Sequence, residues 1–200
     1  ALGRRWSFDL GPESYEAPGY FNLSETAYPN RWSYLRANNH GHSTLSIGDG
    51  VQDPDATIPI ALSDSNNEYQ TTAVADLTSA YRGSIQTARR ALTLSYSGSA
   101  EIRDALEGLQ PGTPVRWQMI YCRAKNPGIN LCYRDVDVSP IRVNLSNPKR
   151  ARIMEETQCA TCPTPRFLDA ELISPPNAIF RTQKLVAQDL VYQSPTGVRT

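Results

Sequence analysis

Cysteine, lysine and histidine are scarce in this chain of 200 residues, and each scarcity narrows its chemistry. All four cysteines lie in the second half, so the first half depends on a packed core, which a chain of this length can bury. Lysine occurs only at Lys125, Lys149 and Lys184, and arginine supplies the remaining basic residues. Twenty basic residues balance twenty acidic ones, so the strong positive field of a general nucleic-acid binder is missing. No apolar run approaches the roughly 20 residues that a membrane-spanning helix needs, and the sequence predicts a soluble protein. Catalytic signatures are lacking as well: there is no G-x-S-x-G, no phosphate-binding P-loop and no G-x-G-x-x-G. The sequence therefore predicts a protein that is not an enzyme.

Two histidines remain, His40 and His42 in "HGH", followed by Asp49, Asp53 and Asp55 in "GDGVQDPD". Imidazoles two residues apart on a strand could share a metal, which is the basis for reading the chain as a small metalloenzyme. A turn-rich loop explains the same residues more simply, and the terminal glutamate of a calcium loop is absent. "NLS" at Asn22 and at Asn144 matches the glycosylation acceptor pattern.

What is abundant is turn chemistry and tyrosine. Fifteen prolines and ten tyrosines suit short half-buried strands joined by irregular connections. Trp6 and Phe8 alternate with polar neighbours, "STLSI" has strand composition, and Pro59 restricts "ATIPIAL" to a sheet edge. Leu92, Leu94 and Tyr96 share one face of a strand, as do Ile141, Val143 and Leu145. "PVRWQMIYC" alternates as a strand, and "RFLDAELISPPN" adds one before its double proline. Ser99 as a cap, with Ile102, Ala105, Leu106 and Leu109 at helical spacing, predicts one short α-helix over about residues 99–109.

The predicted fold is mainly β: a small β-sandwich or barrel-like core, that one helix, and long proline-rich arms at 11–30 and 146–178. Residues 1–146 form the β-rich core with N-terminal loops, and 147–200 form a C-terminal arm carrying a C-x-x-C knot. The stretch "NPKRARI" reads as a solvated linker.

Cys122 and Cys132 flank a nine-residue segment, and Cys159 and Cys162 stand at C-x-x-C spacing. Three outcomes stay open for these four. They could hold zinc or an iron–sulfur cluster, form disulfides, or remain free thiols. Ala1 at the start fits either removal of an initiator methionine or cleavage of a signal peptide, which imply reduced and oxidised thiols respectively.

"RRALTLSYSGSAEIRDALEGLQPGTPVRWQMIYCRA", Arg89 to Ala124, resembles the strand–helix–strand unit of minor tail and tail-tip hub proteins of long-tailed bacteriophages. The cysteine layout is loosely similar to the tail-tip protein L family, although Tyr133 and Arg134 follow Cys132 where that family has glycine–tyrosine. The resemblance implies a virion component, with Cys122, Cys132, Cys159 and Cys162 as cluster ligands. The expected function is then a structural subunit interlocking with copies of itself and with other subunits, without a membrane span and without nucleic acid. The contrasting expectation is a secreted extracellular filament or pilus-like subunit, or a carbohydrate-binding module, with disulfides and a location at the cell surface.

Overall fold

The computed structural model of the chain describes residues 6–24, 26–63, 69–121, 141–155 and 167–182. The fold is mainly β, and the described strands form three antiparallel sheets. β1 (Leu45–Ile47) pairs with β6 (Val115–Trp117). A four-stranded sheet runs in the order β2 (Ile60–Ser63), β3 (Gln70–Asp76), β4 (Thr87–Ser95), β5 (Ala100–Glu107). The third sheet joins β7 (Ile141–Asn147), β8 (Arg150–Glu155) and β9 (Phe167–Glu171). The helical pieces described are short 3₁₀ turns, at Arg31–Ser33, Leu35–Ala37, Asn39–Gly41 and Thr78–Tyr81.

The helix expected over 99–109 does not form. Residues 100–107 are β5, paired with β4 from Thr87↔Glu107 to Leu94↔Ala100. Gly98, at φ 89°, lets the chain reverse between the two strands, where Ser95 donates to Ser99 and Gly98 donates back to Ser95. The same residues carry a second period that fits the strand: Ala100, Ile102, Asp104 and Leu106 on one face, Glu101, Arg103, Ala105 and Glu107 on the other. A long ladder to β4 outweighs the modest helical preference of the segment. The strand–helix–strand unit implied by the tail-protein resemblance is therefore strand–strand–strand at these positions.

The main core gathers Leu45 and Ile47 of β1, Ala80, Tyr81 and Ile85, and Ala88 of β4, with Leu77, Leu106 and Leu109 packed around them. Tyr81 donates a hydroxyl hydrogen bond to the Leu45 carbonyl at 2.6 Å and accepts one from Gln52 at 2.8 Å, so its buried oxygen is satisfied. A second cluster fixes the third sheet. Val143, Ile153 and Leu168 are register partners on one face, and Trp6 packs against them with Met119 and Tyr121.

The proline-rich stretch 11–30 is tied to its own chain. Tyr34 donates to the Pro18 carbonyl, Arg31 to that of Tyr20, and Arg36 to that of Pro12. Buried Asn30 donates to Ser24 and Ala27 while accepting from the Ser33 backbone. At Gly41 the Leu35 carbonyl lies 1.8 Å from where a Cβ would stand, so successive turns pack at a distance only glycine permits.

"NPKRARI", read as a linker, is the turn and start of β8. Lys149 reaches the Pro175 carbonyl, Arg150 pairs with Glu171, and Arg152 forms a two-point pair with Asp169. The hairpin of β7 and β8 runs through the 146/147 boundary. Its chain then folds back after β9, with Leu172 donating to Lys149 and Phe180 to Pro148.

Candidate interaction surface

The four-stranded sheet has two unlike faces, and the register fixes which residues share each. One face carries Thr72 and Thr93, hydrogen-bonded at 2.8 Å, together with Asp76, Arg89, Glu101 and Arg103. The other is built of the rows Ala88–Leu106, Arg90–Asp104 with Ala75 and Ile60, Leu92–Ile102 with Ala73 and Leu62, and Leu94–Ala100 with Thr71.

Among the described residues, only one end of this second face is covered. Ala88 is fully buried and Leu106 packs with it against Leu45, Ile47 and Tyr81. Two residues further along, the cover stops. Ile60 is 69% exposed, Leu62 72% and Leu94 54%, and Leu92 and Ile102 are exposed beside them. Full burial of one such side chain is worth about 1.5–3 kcal/mol. The five are 39–72% exposed, so together they forgo about half of that each, on the order of 4–8 kcal/mol, which reaches the lower part of the ~5–15 kcal/mol that holds a whole domain folded. Scattered surface leucines need no explanation, but five on adjacent register positions of one sheet make a contiguous patch.

Arg90 and Asp104 mark the line between the covered and bare halves. Their guanidinium and carboxylate meet at 2.7 and 2.9 Å, with side chains 18% and 16% exposed. Each neutralises the other, so this face carries no net charge among its described residues.

The remaining candidates fall elsewhere. Cys122, Cys132, Cys159 and Cys162 lie outside the described residues. His40 is buried in the Asn39–Gly41 turn. Burial and the Arg116 charge hold its pKa below the usual histidine value, with backbone groups of Asp49 and Gly50 opposing them. His42 points elsewhere: Nδ1 lies 2.9 Å from Asp9 and Nε2 lies 3.0 Å from the Arg36 carbonyl, so both ring nitrogens are engaged. Burial opposes ionisation of Asp9, but the Gly11 N–H and His42 outweigh it and lower the carboxyl pKa. Asp53 pairs with Arg82 and caps the Asp55 N–H. Among the described residues no three of His, Cys, Asp and Glu converge as a metal site. Asn144 is exposed on β7, whereas the Asn22 amide bonds to the Pro29 carbonyl and accepts from Ser24. No helix of the described residues is long and apolar enough to cross a membrane.

The chain matches no protein-family model and no curated protein.

Sequence reasoning found part of this surface, since Leu92 and Leu94 share a strand face in both readings. It missed Ile60, Leu62 and Ile102 as their neighbours. The signal was present in the alternation of residues 100–106, which continues the pattern of residues 88–94 across the Gly98 turn.

Proposed function

We propose that this chain is a non-enzymatic structural subunit of a large assembly, joined to its neighbours through the bare half of the four-stranded sheet. The observation that carries the reading is the run of Ile60, Leu62, Leu92, Leu94 and Ile102, apolar and exposed on a face whose other half is core. A soluble chain keeps such a face when something else covers it. The sequence likeness of Arg89–Ala124 to minor tail and tail-tip proteins directs the proposal to a bacteriophage virion, in the tail or its tip, although the middle of that stretch is a strand here and not the helix of the likeness. Other structural proteins of the same particle are its partners in this reading.

The test is direct detection. An antibody raised against the chain is applied to particles purified from the source culture and located by immunogold labelling. Label at a fixed position on a filament or tail supports the proposal. Antigen found only in the particle-free fraction, as a free monomer, sinks it.

A further inference from the structure

We infer that a second copy of this chain covers the bare sheet face, so that a β-sandwich is completed between two molecules; this rests on the assembly reading above and names the first partner.

Three features of the face argue for a like partner. The first is charge. Arg90 and Asp104 are the charged residues on it, and they cancel within one copy, so two identical faces meet without repulsion. The opposite face of the sheet pairs its charges too, Arg89 with Asp76 and Arg103 with Glu101, but these side chains stand exposed on a polar surface that water already satisfies. The second feature is relief. β2 and β4 present large side chains (Ile60, Leu62, Leu92, Leu94), whereas β3 between them presents Thr71, Ala73 and Ala75. Ridges beside a trough are the shape that another such sheet can interdigitate with, at the ~10 Å spacing of stacked sheets. The third is size. The five aliphatic side chains leave on the order of 500 Å² bare, and the alanines and rim extend this toward the ~800 Å² per partner of a standard interface.

The edges favour a face contact over extension of the sheet. β2 is four residues long and follows Pro59, and β5 alternates through Glu101, Arg103 and Glu107. Short, proline-flanked or charged edges resist strand addition.

The core sets the orientation. Leu45, Ile47 and Tyr81 occupy the same face at its Ala88–Leu106 end. A second copy with parallel strands would bring its own core into that space. The pair must therefore run with strands reversed, each β4–β5 turn directed toward the other copy's Arg90–Asp104 row. A two-fold axis lying between the sheets and across the strands produces this arrangement, and the same patch then serves both copies.

The experiment is sedimentation of the full chain over ~1–100 μM, a range that brackets the affinity expected of a modest interface. Wild type is compared with the double variant Leu62→Glu/Leu94→Glu and with Arg103→Ala on the opposite face, and circular dichroism checks the fold of each. The expected result is a concentration-dependent dimer for wild type and for Arg103→Ala. The double variant, with unchanged circular dichroism, stays monomeric or dimerises at least ~30-fold more weakly. If the double variant loses its fold, the milder Leu62→Ser/Leu94→Ser pair replaces it, with the same expectation. A dimer that persists unchanged in a folded variant overturns the inference. So does a wild-type chain that remains monomeric at ~100 μM. In that case, immunogold label on particles that is lost in the variant would mean that a different protein covers the face: the assembly reading would stand and the second copy would not. A monomeric wild type destabilised by the variant would mean that the face is covered from within its own molecule.

Discussion

Arg90 and Asp104 face each other across β4 and β5 as a two-point ion pair at the place where the sheet's apolar face leaves the core. Two charges held together there satisfy each other's hydrogen bonds, and the loss of one strands the other in a largely apolar row.

Asp104→Ala is expected to lower stability by about 1–3 kcal/mol, since its partner keeps less than a fifth of its side-chain surface in water. Arg90→Leu/Asp104→Leu together should recover most of that loss by extending the apolar surface. Urea unfolding of the single and double variants measures the coupling. A single variant within about 0.5 kcal/mol of wild type would show that the pair contributes nothing.

Gln118 ties three carbonyls with one amide group. Its Nε2 lies 2.9 Å from the Asn39 oxygen and 2.8 Å from those of His40 and His42, while its backbone donates to Thr44. Gln118→Ala should cost about 1–2 kcal/mol by leaving these acceptors short of a donor. Gln118→Glu should cost more, because a carboxylate then faces three carbonyl oxygens. Denaturation midpoints of the two variants give the order, and equal midpoints would refute it.

His40 makes stability depend on pH in a defined direction. Its folded pKa lies below the ordinary value of 6.5, so the unfolded chain binds the proton first. Stability from this residue is complete above pH 6.5 and is lost as pH falls toward the folded pKa. The urea midpoint should fall between about pH 7 and pH 5, before most carboxylates titrate. His40→Gln should flatten that slope even if it lowers the midpoint throughout. A slope unchanged in the variant would place the effect elsewhere.

The mainly-β character was readable because its signals are local. Pro59 confines its strand to an edge, the Leu92–Leu94 alternation makes a strand face, and residues 167–171 stop before the double proline. What failed was the choice between two periods in one segment. Residues 100–107 satisfy helical and strand spacing at once, and the decision came from β4, a tertiary partner. The bare face escaped notice for the same reason, since β2, β4 and β5 become neighbours only through the register. His40 and His42 sit two residues apart in sequence, but their rings serve different partners, a separation that spacing does not encode.

Trp6 has a consequence for how the chain is made. Its indole packs among side chains from residues 119 to 168, so ribosomal synthesis must pass the last of these before the opening segment finds its place. The β2–β5 meander, by contrast, draws on residues within a span of fewer than fifty and can close much earlier. Translation thus exposes a finished sheet before the molecule around it is closed, and a chain truncated ahead of Ile153 should keep the former and lose the latter.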